Sequence, residues 1–94
     1  MATFILLSSL TDEGAKTIKN KPERLKEVNA EIQKLGATVK AQYAVLGPYD
    51  FVSVVEAKDA GAIARVSAEL ASRGSVRLLT LTALPIDEFL SSLK

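Results

Sequence analysis

The chain has 94 residues, 48% apolar and 24% charged, so it has room for a single globular domain over residues 1–94 and none of the bias of a disordered segment. It contains no cysteine and no histidine, which excludes disulfide frameworks, thiolate metal sites, cysteine nucleophiles, and the commonest general base and zinc ligand. Twelve basic residues against eleven acidic ones leave a net charge of +1, with no general attraction to nucleic acid or anionic lipid.

The chain opens on an apolar run, Phe4-Ile5-Leu6-Leu7. It has no basic residue before it and is too short for a signal peptide. No apolar stretch approaches the roughly 20 residues that cross a bilayer. The expectation is a cytoplasmic protein with no membrane partner. Thr3 to Ser8 reads as a strand whose two faces are both apolar, Phe4 and Leu6 against Ile5 and Leu7. Thr11, followed by Asp12 and Glu13, carries the features of a helix start. That helix runs to about Lys19, and Pro22 interrupts it or starts another. Leu25, Val28, Ile32 and Leu35 then recur at helical spacing up to Gly36, which suits a helix end.

Ala37 to Leu46 alternates as a strand, with Val39, Ala41, Tyr43 and Val45 on one face and Lys40 and Gln42 on the other. This places Tyr43 in the core with its hydroxyl at the rim. Gly47-Pro48-Tyr49-Asp50 has turn chemistry, and Phe51 to Ala57 follows as an antiparallel partner strand. Asp59 caps a further helix with Ile63, Val66 and Leu70 as its apolar stripe, ended by Gly74. Val76 to Leu84 is a fourth strand. Pro85, Asp87 and Glu88 open a short C-terminal helix with Ile86, Phe89, Leu90 and Leu93 on one side.

The order is β-α-β-β-α-β with a tail helix. It predicts an α+β, ferredoxin-like fold: an antiparallel sheet of order 4-1-3-2, two helices on one face, and right-handed crossovers. Strands one and three, apolar on both sides, belong in the middle. The sheet face away from the helices does not turn polar as a solvated face would. Strand one has Phe4 and Leu6 on one face and Ile5 and Leu7 on the other, strand three has Val52 and Val54 opposite Phe51 and Val55, and strand four has Leu79, Leu81 and Ala83 opposite Val76, Leu78 and Leu84. An apolar area of this size calls for cover, either by a second subunit in a symmetric homo-oligomer or by the C-terminal helix of the same chain. The first of these is the expectation.

Around Gly47-Pro48-Tyr49-Asp50-Phe51-Val52 the chain resembles the GYD domain family, named for a Gly-Tyr-Asp motif and grouped with the dimeric α+β barrels. The resemblance extends to Thr11-Asp12-Glu13-Gly14, to Lys21-Pro22-Glu23-Arg24-Leu25, to Glu56-Ala57, and to Gly74-Ser75-Val76-Arg77 with Thr80-Leu81-Thr82-Ala83. It implies the fold and a dimeric assembly, and no particular chemistry. The chain departs from the family at Leu79 and Thr82, where charged residues are expected, so no site on the last strand is implied.

Arg24, Tyr43, Tyr49 and Asp50 are the candidate ligand-binding residues. Arg24, at a helix start, can clamp a carboxylate or phosphate, or pair with Asp50 across the domain; the competing reading is a surface ion pair with Glu27 or a neighbour. Tyr49 and Asp50 set a phenol and a carboxylate beside the turn; the competing reading is turn chemistry alone. Lys16, Lys19, Lys21, Arg24 and Lys26 form a basic run that Glu13, Glu23 and Glu27 interrupt, as on a solvated face. No calcium-loop spacing, phosphate loop or nucleophile–base pair is present, so no catalytic residue, metal or cofactor is assigned. The RNA-recognition motif shares this topology, but its leading basic residue and later aromatic are missing here. The reading is therefore a homo-oligomeric domain that binds or senses a small polar molecule. The alternatives are a cofactor-free enzyme of the dimeric barrel type and a purely structural assembly protein.

Overall fold

The computed structural model describes all residues 1–94. Strand β1 (Ala2–Leu10) leads into helix α1 (Asp12–Asn20), then α2 (Arg24–Lys34), β2 (Ala37–Ala44), β3 (Phe51–Ala57), α3 (Ala60–Ala71), β4 (Val76–Ala83) and α4 (Ile86–Ser92). The sheet order is β2-β3-β1-β4, every pair antiparallel, which is the expected order with β1 and β3 central. No helix is long and apolar enough to cross a membrane.

The helix boundaries follow from the residues at them. Thr11 accepts from the Gly14 N–H at the start of α1, and Asp59 accepts from the Ala62 N–H at the start of α3. Each thereby satisfies an amide that has no partner inside its helix. Pro22 falls in the turn that separates α1 from α2, where the missing proline N–H costs no helical hydrogen bond.

Phe4 and Leu6 of β1, Val55 and Ala57 of β3 and Ala37 of β2 meet Ile32 of α2 and Ile63, Val66 and Leu70 of α3 in one buried cluster. Val28 packs at its edge. The helical stripes read from the sequence thus point at the sheet.

One expectation fails in β2. The pairing with β3 shifts between Val39, opposite Val55, and Ala41, opposite Val54. Lys40 is the extra residue of a bulge, and a bulge of one residue exchanges the faces beyond it. Val39 still packs on the core. Past the bulge Gln42, opposite Ser53, turns toward the helices, while Tyr43, opposite Val52, turns to the other side. Tyr43 is 62% exposed rather than core. The strand also ends at Ala44, two residues early, and Leu46 stands in solvent in the loop.

Candidate functional site

Between the helices and the sheet lies a cavity of about 110 Å³, ten of whose nineteen lining residues are hydrophobic. Leu6 and Leu10 of β1, Phe51 of β3 and Leu78 of β4 contribute the sheet side, and Ile18, Leu25 and Leu70 contribute from the three helices. α1 is anchored low against the start of β4, where the Thr11 N–H donates to the Ser75 carbonyl (3.0 Å) and the Thr11 hydroxyl donates to the Gly74 carbonyl (2.8 Å). Gly14 is required there, since a Cβ would stand 2.0 Å from the Ser75 carbonyl oxygen.

The polar wall is a side-chain chain across three elements. Asn29 of α2 donates to Gln42 Oε1 (2.8 Å), and Gln42 Nε2 donates back to Asn29 (3.4 Å) and on to the Ser53 hydroxyl (3.1 Å). Ser53 is buried. The bulge at Lys40 places Gln42 here; regular alternation would have put it on the opposite face. Ser53 interrupts the otherwise apolar run from Phe51 to Val55 of β3, and that was the one signal for this wall in the sequence.

The charged part of the lining consists of Arg24 and Arg73. Arg24 Nη1 bonds Glu27 (3.1 Å) and Glu31 (3.0 Å). The other oxygen of Glu31 pairs with Arg73 Nη1, and Arg73 Nη2 reaches Glu69 (3.5 Å). Glu31 thus ties the start of α2 to the end of α3. The hydrogen bonds that Arg24 donates to Glu27 and then to Glu31 raise its guanidinium above its ordinary value. The Arg73 hydrogen bond chiefly holds the Glu31 carboxyl below its usual range, against a smaller opposing effect of burial. Arg73 and Glu31 lie outside the residues singled out from the sequence, because their pairing joins elements 42 positions apart and no local spacing announces it.

Of the four candidates, Arg24 alone lines the cavity. Its partners are Glu27 and Glu31 in place of Asp50. Asp50 accepts from the Leu10 N–H (2.8 Å) through Oδ2, and its own N–H donates to the Ser8 carbonyl (2.8 Å). The Ser9 hydroxyl donates to the Pro48 carbonyl (3.2 Å). Asp50 therefore clasps the β2–β3 loop to the end of β1, and Tyr49 sits half-buried in that loop. Tyr43 lies across the sheet from the cavity.

On that far face the register builds two apolar rows across all four strands: Tyr43, Val52, Leu7 and Leu79, then Ala41, Val54, Ile5 and Leu81. Tyr43, Leu79 and Leu81 are exposed. Helix α4 does not cover the rows; none of its residues is buried, and Ile86, Phe89, Leu90 and Leu93 are exposed too.

Residues 4–93 match the model of the GYD domain. The chain belongs to the GYD domain family. The Gly47–Asp50 loop, around which the resemblance centres, carries the aspartate clasp just described. A second segment of the resemblance, Thr11–Gly14, touches a third, Gly74–Ser75, so these scattered motifs hold together one end of the sheet. The chain is 58% identical over 95 residues, across the whole of both proteins, to the glutamine synthetase and cystathionine beta-lyase binding protein of Thermus thermophilus. Among solved structures it is similar to TTHA0845, also from Thermus thermophilus, at 28% identity and a TM-score of 0.58, covering 90% of this chain and 95% of that one. It is also similar to FFRP-DM1, at 20% identity and a TM-score of 0.64, covering 89% and 100%; this second likeness is one of fold alone.

Proposed function

We propose that this GYD-domain protein is a homo-oligomeric binding protein that docks on metabolic enzymes and responds to a small molecule held between its helices and sheet. The observation that carries the enzyme-docking part is the 58% identity, end to end, to a relative named for binding glutamine synthetase and cystathionine β-lyase. At that similarity and with both chains covered from end to end, enzymes of these two kinds are the first partners to try.

The assembly part is supported by the two apolar rows. A sheet face carrying Tyr43, Leu79 and Leu81 exposed in adjoining rows is a contiguous apolar patch of the kind that marks an interaction surface. The pattern suits a second sheet packed against it, as in sheet-on-sheet layers, and a two-fold axis lets one face serve both subunits. The exposed apolar side of α4 then remains available for an enzyme partner.

The test is direct. The purified chain is immobilised and exposed to glutamine synthetase and cystathionine β-lyase from the same organism, with an unrelated enzyme of similar size as control. Saturable binding of either enzyme, reduced by Phe89→Ser with Leu90→Ser on α4, supports the reading. Binding of neither enzyme at micromolar concentration contradicts it.

A further inference from the structure

The cavity carries information about what fills it. Its charged lining is cationic throughout: Arg24 and Arg73 face it, and no carboxylate does. Glu31, which pairs with both, Glu27, which pairs with Arg24, and Glu69, which pairs with Arg73, are absent from the lining. Arg24 uses only Nη1 in its two ion pairs, so Nη2 and Nε keep donors to offer, and a guanidinium presents those donors in a planar fork matched to carboxylate or phosphate. The remaining wall is mostly aliphatic. On its polar side the Ser53 hydroxyl accepts from Gln42 and retains its own proton to donate. The volume of about 110 Å³ is roughly eight times the least that one water needs, so the space suits a molecule of several heavy atoms.

We infer that this cavity takes a short-chain aliphatic carboxylate, its tail among Leu6, Leu70 and Leu78 and its head on Arg24 and Arg73. This rests on the small-molecule part of the proposed function and is independent of the enzyme-docking part. The logic is one of exchange. With the cavity empty of anion, Glu31 together with Glu27 and Glu69 satisfies both guanidinium groups, so neither is left as an unpaired charge, which would be costly. An entering carboxylate shares them with Glu31 or replaces it, and the apolar tail gains burial that an inorganic anion cannot. A cation of the same length meets two positive groups. A neutral alcohol gains the burial and little from the guanidinium groups.

The experiment titrates hexanoate into the isotope-labelled full chain and follows backbone amide shifts, with 1-hexanol and hexylammonium as probes of equal length. The expected result is saturable shifts at Ser53, Arg73, Ser75 and Leu78, with hexanoate at least about tenfold tighter than 1-hexanol, as charge-assisted hydrogen bonds provide, and no saturation by hexylammonium. Arg73→Gln should bring hexanoate to the level of 1-hexanol while leaving 1-hexanol unchanged. Glu31→Gln, which removes the competing anion, should tighten hexanoate. If Arg73→Gln fails to fold, Arg24→Gln makes the same test from the other helix. Equal affinity for hexanoate and hexylammonium overturns the inference, as do shifts confined to the open sheet face or a hexanoate affinity indifferent to both arginine variants. Enzyme capture is scored separately on the ligand-free chain, so failure there leaves the hexanoate result standing.

Discussion

The two faces of the sheet are built from the same kinds of residue and meet different surroundings. On one, Phe4, Leu6, Val55 and Ala57 are sealed under α2 and α3 at 2% exposure or less. On the other, Ile5, Leu7, Val52 and Val54 alternate with them along the same strands but have no layer above, and the outer strands add Tyr43, Leu79 and Leu81 in the open. The difference teaches that hydrophobicity of a strand says only that both sides need cover. Which layer supplies the cover depends on where the helices go, and here they are all spent on one side or, in the case of α4, left unpacked.

The contrast is broken most severely from the covered side. Ile63→Ala removes a side chain that is 3% exposed and should cost about 2–5 kcal/mol, measured by urea denaturation at fixed protein concentration. A loss under about 1 kcal/mol would show that the helical stripe does not seal this face. Leu81→Ala, on the open face, should leave the secondary structure of the protomer intact and instead raise the protein concentration at which the assembly dissociates. Asp50→Ala tests the clasp that keeps β1, shared by both faces, tied to the β2–β3 loop. It orphans the Leu10 N–H and should cost about 1–3 kcal/mol, with faster hydrogen exchange at that amide. Unchanged exchange at Leu10 would mean the carboxylate does not hold it.

The smallest effect concerns pH and the covered face. Glu31 has its carboxyl lowered in the folded chain from an ordinary value of 4.5 by Arg73 first. A depressed carboxyl contributes stability that is fully present above the unfolded value and is lost as pH falls through the folded one. Unfolding measured from pH 6 downward should therefore show stability declining below about 4.5, and Glu31→Gln should flatten part of that decline. The ion pair is partly exposed and screened, so the difference will be modest. An identical pH profile in Glu31→Gln would contradict the assignment.

Much of this was legible in the sequence. The runs Phe4–Leu7 and Phe51–Val55 placed β1 and β3 in the middle because both of their faces are apolar, and Pro22, Gly36, Gly74 and Pro85 marked real breaks. The candidate site was legible only in part. Arg24 was recognisable as a helix-start guanidinium with an anion to hold, yet its partner Glu31 is seven residues on and is shared with Arg73 from another helix. Tyr43 was misplaced because a bulge leaves no mark in a pattern of alternation: Val39, Ala41 and Tyr43 alternate perfectly until Lys40 is taken out of the count. The same bulge brought Gln42 into the cavity wall. Asp50 stood out by type, but its role depends on a Leu10 amide 40 positions away.

The central claim, that the open sheet face is where two copies of the chain meet, is tested most directly by light scattering on the wild type and on Leu81→Lys across micromolar concentrations. The account predicts a wild-type mass that is a multiple of the 10.0 kDa protomer. It predicts a Leu81→Lys mass that falls to the protomer value with an unchanged circular dichroism spectrum, because a lysine in the middle of an apolar contact would be buried without a partner. A wild type that scatters as a 10.0 kDa particle throughout, or a Leu81→Lys variant that assembles as the wild type does, would contradict it.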